Sequence, residues 1–492
     1  MHRIHLAMLE ILDDPGLEVE LPDYAYDKLE AAGLRVERAG RRVRLGPQPV
    51  LETIRQCAGG ESADITVDGT DRPPQPLRLP TQVRGTVGST HGFVFDVDRW
   101  AMRNATHDDA RDFMKIRKNL PDVSPNGVGM LPQDVPPPVQ YIHRVALSAK
   151  YDEHAEGAMA NGPDDAPWTT RVLQAAGLAS ADAPPAFSVH MQPTGALRVD
   201  GRVAGDSLRA AESGRLSFIL PCGFMGANHP VTIPGALAQV YAEIFGPNTV
   251  FRLLADPSSN EFTPRGVGCD HLIMDVRRGA FCSGSPEALK LRMCMRQMSG
   301  AFYKFPGGSG FITGLSPDAK VPGIQASMEG ALAVASELMC GAYSYDAEVV
   351  ATVKMLGRLH ANLCICAEQV IIDHELLQWM QQFLAGVSVD TETLALDAIR
   401  EVGPGGEFVS ADHTIRNYRE HMWFPALTHR GPWADWVAAG AQSPVDIAKA
   451  KVRELMDIDL VPVLPDDACR AVDEVVEEAE LALLGRTTGV AI

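Results

Sequence analysis

The residue types able to do chemistry in this 492-residue chain gather at the ends of short apolar runs. Gln133 and Asp134 follow one run, Asn161 and Asp164 the next, and His190, Met191 and Gln192 close a third. Cys222, Asn228 and His229 belong to a fourth, Phe305 to a seventh, and Tyr343, Tyr345 and Asp346 to an eighth. Carboxylates, amides, imidazoles and aromatics dominate, and these ends read as free of Lys and Arg. A phosphorylated ligand generally wants backbone amides with a cation nearby. Aromatic rings beside carboxylates suit instead a cation that cannot donate hydrogen bonds, since ring quadrupoles hold a quaternary ammonium at roughly 0.5–2 kcal/mol per ring. Aromatics at such positions can equally do no more than cap a core.

Other groupings carry less. His190, Cys222 and Cys340 could meet in a thiolate-rich zinc site, but Cys364-Ile365-Cys366 is too close for a CxxC half-site and no paired CxxC or HxxxH occurs. Small buried residues in a core explain them as well, and no metal is expected. Gly308-Ser309-Gly310 is too short for an esterase elbow. Ser285-Pro286 reads as a helix start, serine capping and proline at the first turn. Asp318 and Lys320 read as a surface pair holding a loop.

The elements that must position these residues follow from the pattern. Eight apolar runs (127–131, 157–161, 186–192, 216–223, 250–256, 280–284, 302–310 and 337–345) alternate with helical stretches such as 139–151, 168–176, 206–213, 236–245, 286–299 and 323–334. Alternation of this length means parallel βα units, and eight of them predict an α/β fold, a (β/α)8 TIM barrel with mainly helical N- and C-terminal additions. An open doubly wound sheet would show Gly-x-Gly-x-x-Gly after its first strand, which is absent. The expected division is 1–105 for an N-terminal unit of helices and short strands, 106–385 for the barrel and 386–492 for a C-terminal helical segment. In the first unit, Arg38 to Arg44 alternates like the exposed face of a short strand. The final acidic run of Asp473, Glu474, Glu477, Glu478 and Glu480 reads as a solvated helix face.

Lys plus Arg number 44 against 63 Asp plus Glu, a net charge of −19 that repels phosphate backbones and anionic lipid. No nucleic-acid or membrane partner is expected. With no apolar window of membrane-spanning length and no secretory leader, a cytoplasmic location is expected. The nine cysteines are odd in number and irregularly spaced, so reduced thiols are expected.

Several ordered blocks resemble the trimethylamine methyltransferase family of corrinoid-dependent amine methyltransferases. They are Gly226-Ala227-Asn228-His229-Pro230-Val231-Thr232-Ile233-Pro234-Gly235-Ala236-Leu237, Asp275-Val276-Arg277-Arg278-Gly279 with 283–287, and Asp318-Ala319-Lys320-Val321-Pro322 with Gln325-Ala326. Further matches are Val389-Asp390 with Glu392-Thr393-Leu394-Ala395, 399–406, His413-Thr414 and Trp423-Phe424-Pro425. The stretch from Asp346 to Cys364 departs from the family's usual glycine-rich, acidic segment. The resemblance implies a (β/α)8 barrel and methyl transfer from an amine to the cobalt of a corrinoid (cobalamin) carried by a separate protein, with no tightly bound cofactor. Members acting on trimethylamine carry pyrrolysine. This chain has none, which points to the members associated with quaternary amines such as glycine betaine, carnitine or proline betaine. Cage candidates are Phe93, Tyr343 and Tyr345, with His190, Gln192 and Asn228 to hydrogen-bond a substrate carboxylate. The expected partners are the corrinoid protein, a small quaternary or methylated amine, and further copies of the chain in a homo-oligomer. A residue acting as acid, base or nucleophile is not expected. The alternatives are a catalytically silent relative that only binds a methylated amine, and a zinc-dependent thiol methyltransferase on a similar barrel.

Overall fold

Ile233–Leu254, the longest helix, is apolar on all sides and so is buried along most of its length. Around it the computed structural model describes residues 1–57, 82–87, 92–124, 130–152, 164–181, 195–212, 222–255, 270–303, 314–341, 350–490 and 492. The helices His2–Asp13, Asp23–Ala31, Pro47–Cys57 and Gly201–Glu212 all pack on this axis. At Gly246 the approach is so close that a Cβ would stand 2.6 Å from both Leu12 and Leu17. Only glycine fits there.

The N-terminal unit forms as its pattern predicts. Its strands Leu17–Val19, Arg35–Glu37 and Arg42–Arg44 form a sheet in which Val43 is buried and Arg42 exposed. Leu17–Val19 also pairs in parallel with Arg198–Val199, fastening this unit to the body. A second tie is aromatic. The Tyr303 hydroxyl lies 3.0 Å from His5 Nδ1, inside a cluster with Phe302, Tyr241 and Phe245.

Three further small sheets follow. Gln82–Val87 lies between Val123–Ser124 and Val350–Leu356, parallel to both. Cys222–Met225 is parallel to Asp270–Asp275, which turns back antiparallel into Ala280–Cys282. The last sheet runs in the order Arg358–Leu359, Cys364–Ile365, Phe93–Asp96, Ala101–Asn104. Beyond them Ala367–Leu384 packs on Gln82–Val87 and on Pro444–Met456, while Asp466–Leu484 packs on Gln140–Tyr151 and Ala166–Ala175. Among the described residues the fold is thus mixed α and β, with four open sheets and no closed ring of eight strands.

Several expected strands prove otherwise. Residues 250–254 end the Ile233–Leu254 helix, and 337–341 end the helix Ile324–Gly341. Phe302 closes a π-helical turn, Gln297–Phe302. A short apolar run has no period of its own, and a helix buried on all sides loses the polar face that would reveal it. Ala280–Cys282 is a strand, but the return arm of a hairpin. The runs at 157–161 and 186–192, and most of 216–223, lie outside the described residues. The acidic terminal helix is also more than a solvated face. Glu480 is buried and accepts from Thr488 N–H and lies 2.6 Å from His143, Asp473 pairs with Lys150, and Glu478 with Arg171.

Burial, reinforced by His2, pushes the His5 imidazole down to about 4. Burial followed by the neighbouring His143 does the same to His107, also to about 4. A folded-state pKa below the unfolded 6.5 means that the unfolded chain takes up protons first. The stability these imidazoles contribute is therefore present above about pH 6.5 and lost as pH falls toward 4. Asp373 acts oppositely: burial raises its carboxyl to about 7, so its contribution fades as pH rises through that value. Replacing His5 by Gln should make the acid limb of the stability curve shallower by up to about 1.4 kcal/mol per pH unit. Denaturant melts across that window would read it, and Asp373→Asn should change the slope in the other direction.

Candidate functional site

Phe93 and Asn228 are the expected site residues that fall within the described structure. His190, Gln192, Tyr343 and Tyr345 lie outside the described residues, as does Phe305. Phe93 and Asn228 sit on different sheets, joined through a chain of braced loops.

Asn228 follows the C-terminal end of Cys222–Met225. The turn begins at Gly226, whose φ of +90 favours glycine, with Gly226 N–H donating to His229 C=O. Asn228 Oδ1 accepts from Phe224 N–H at 2.7 Å and lies 2.9 Å from His229 Nδ1. Behind the turn, Gln239 of the long helix donates to the Asn228 carbonyl and to Glu243, which also accepts Leu197 N–H. His229 Nε2 lies 3.2 Å from Glu243. The Asn228 oxygen thus serves the turn, and its Nδ2 makes no hydrogen bond among the described residues. Beside it Phe224 and Phe281 stack with centroids 4.4 Å apart, and Phe281 is 40% exposed.

The segment 316–322 is held from three sides. The Asp318 carboxylate accepts Ser283 N–H at 2.7 Å, and the carboxylate of Glu329 accepts Asp318 N–H at 2.6 Å and Ala319 N–H at 3.4 Å. On the third side His360 N–H donates to Ala319 C=O and Ala361 N–H to Pro317 C=O. His360, Ala361 and Asn362 all have left-handed backbone, with φ of 54, 50 and 78. Such a run in L-residues is strained and persists only where the surroundings fix it. The loop contacts do so. The hairpin leads to Cys364, which pairs in register with Phe93. Phe93, 37% exposed, therefore stands at the edge of this braced region.

Asp318 and Lys320 do not form the expected ion pair; backbone donors take the carboxylate instead. Burial raises the Asp318 carboxyl, with Glu329 adding to the rise and Ser283 N–H opposing it. The expectation that no strand end carries Arg also fails. Arg277 and Arg278 follow Asp270–Asp275, with Arg277 bonded to Asp275 at 3.0 Å. That strand was hidden because its apolar stretch is only three residues long. Ser285 caps its helix as expected, accepting from Ala288 N–H.

Among the described residues no group of three His, Cys, Asp or Glu could hold a metal ion. Burial raises the thiols of Cys57 to about 12 and of Cys364 to about 11, and that of Cys366 well above the ordinary value, so all three stay protonated at neutral pH. No helix among the described residues is long and apolar enough to cross a membrane.

Sequence reasoning missed Gly284 and the stacked Phe224–Phe281 pair. A Cβ at Gly284 would stand 2.6 Å from Glu329 Oε2 and 3.1 Å from Asp318 N. Glu329→Ala should destabilise the protein by about 1–3 kcal/mol, the cost of orphaned amides. It should also speed hydrogen exchange at Asp318 and Ala319. Glu329→Gln should recover part of the protection, and Gly284→Ala should mimic the loss; exchange unchanged in all three would remove Glu329 as the brace.

Comparison with known proteins agrees along the chain. The family model described as trimethylamine methyltransferase (MTTB) matches residues 1–482. Trimethylamine methyltransferase MttB of Desulfitobacterium hafniense is 24% identical over 98% of this chain and 92% of its own. Glycine betaine methyltransferase of the same species is 24% identical over 89% of this chain and 87% of its own. The crystal structure of Methanosarcina barkeri monomethylamine methyltransferase (MtmB) aligns over all of this chain and 93% of its own at 11% identity, with a TM-score of 0.37. With a family match reaching from the first residue to the last helix, the chain belongs to the trimethylamine methyltransferase family.

Proposed function

We propose that this protein removes a methyl group from a small quaternary amine of the glycine betaine type and passes it to the cobalt of a corrinoid held by a separate protein. The observation that carries this is the family match over residues 1–482, together with a glycine betaine methyltransferase among the relatives. A quaternary nitrogen is already positive. The C–N bond breaks with its electron pair staying on nitrogen, the methyl carbon bonds to the acceptor in line, and no proton moves. The reduced cobalt supplies the nucleophile. What remains for this chain is to bind the cation, aim one methyl group and exclude water.

Its residues suit that work. Phe93, Tyr343 and Tyr345 are read as cage aromatics, to which the exposed Phe224–Phe281 stack beside Asn228 is added. Asn228 Nδ2 can donate to a substrate carboxylate while Oδ1 holds the turn, and His190 and Gln192 are read in the same role. No acid, base or nucleophile is assigned.

The same reading makes the fold a (β/α)8 barrel. Gln82–Val87 is parallel both to the next strand of the body and to Val350–Leu356, far along the chain, as the first strand of a closed barrel would be. In this reading the barrel extends upstream of residue 106 to include Gln82, and helical segments flank it.

Anaerobic incubation with betaines and cob(I)alamin should yield methylcobalamin by absorbance; none above an enzyme-free control with any betaine, or with an added corrinoid protein, would sink the activity. Ligand binding without transfer would turn the reading to a silent relative. Phe93→Ala and Phe281→Ala should each weaken binding of the cation by about 0.5–2 kcal/mol in calorimetry. Unchanged binding by both would move these rings to a packing role.

A further inference from the structure

Between residues 385 and 441 the chain is ordered yet nearly coreless: Leu427 alone is buried. Its helices Leu396–Val402, Asp412–His421 and Trp433–Ala438 have 6 to 10 residues, too short to stand alone in water. One point ties the excursion to the body. The buried Glu375 carboxylate accepts the N–H groups of Ala426, Leu427 and Thr428 and the Thr428 hydroxyl. Elsewhere Val387, Val409, Ile415, Met422, Phe424 and Trp433 are 60 to 90% exposed. With their neighbours they present on the order of 1,000 Å² of apolar surface, beyond the largest patch of an ordinary monomer and close to one side of a standard interface.

The body carries a second uncovered apolar face. Ile324, Met328 and Leu332 recur every fourth residue on Ile324–Gly341 and are all more than half exposed. Trp379 and Phe383 on the adjoining Ala367–Leu384 helix are exposed as well. The opposite side of Ile324–Gly341 holds Glu329, which braces the 316–322 loop.

We propose that residues 385–441 form an arm that lies over the exposed face of Ile324–Gly341 in a second copy of this chain, the reverse contact being made across the same two-fold interface. An isologous pair covers both apolar surfaces at once. A protein that visits and leaves at every turnover would strand them in water between visits, and interfaces of that kind are smaller and more polar. The arm thereby secures, from outside, the helix whose inner side holds the Asp318 loop.

Sedimentation velocity of the full chain at low micromolar concentration should show two copies or a multiple of two; a monomer, or association only after a corrinoid protein is added, overturns the proposal. Met328→Glu with Leu332→Glu, both on exposed positions, should weaken self-association at least about tenfold with unchanged helical circular dichroism. Association as tight as in the unsubstituted chain overturns it. A photo-crosslinker at Phe424 in mixed heavy- and light-isotope protein reads the contact without disturbing the stripe. Heavy-to-light links to residues 324–339 are expected, and links confined to one chain, or reaching another surface, overturn it.

Discussion

The rest of the site depends on carboxylates that accept backbone N–H groups. Glu329 takes two amides of the 316–322 loop, Asp318 takes Ser283, Asp373 takes Gly357, and Glu375 takes three amides of the 426–428 turn. Loops leave such donors unpaired, and an ionised carboxylate offers about four acceptor sites in charge-assisted bonds. The cost is desolvation, visible in the raised carboxyls of Asp318 and Asp373. The excess of 63 acidic over 44 basic residues is therefore partly internal. Some of that charge stitches loops, and so does not act as a long-range field for a cation.

Where a residue's environment is local, the sequence was readable. The cap at Ser285, the alternation around Val43 and the N-terminal succession of helices and strands all emerged from spacing alone. Where the environment is made by distant segments, it was not. Residues 250–254 read as a strand because nothing nearby betrays that Ile233–Leu254 is wrapped on every side by the N-terminal helices. Glu480 looked solvated because its partner His143 is 337 residues away. At the candidate site, the position of Asn228 after a strand was legible from its motif. The assignment of its oxygen to the turn and its nitrogen to the open side depended on Phe224, Gln239 and Glu243, which no spacing rule joins.

A reaction without proton transfer asks little of side-chain pKa values and much of geometry. In such a site a displacement of about 1 Å costs more than a lost charge. The described loops fit this demand: their hydrogen bonds run mainly from backbone to carboxylate or backbone to backbone, which fixes chain position more firmly than contacts between long side chains. The left-handed run at 360–362 belongs to the same logic. It lies in the stretch that departs from the family's usual sequence, yet it folds into a hairpin that seals against the 316–322 loop. Sequence divergence there alters the wall of the site without leaving the wall open.

Ile324–Gly341 then links two scales of structure. Its inner side carries the carboxylate that holds Asp318 and Ala319, and its outer side is apolar and bare. A helix exposed on such a face is free to rock, and rocking would move the Glu329 anchor together with the loop. Covering that face with the arm of another copy removes the freedom at its source. Assembly, in the proposed arrangement, is then one of the means by which a site built of positioning alone is kept in position.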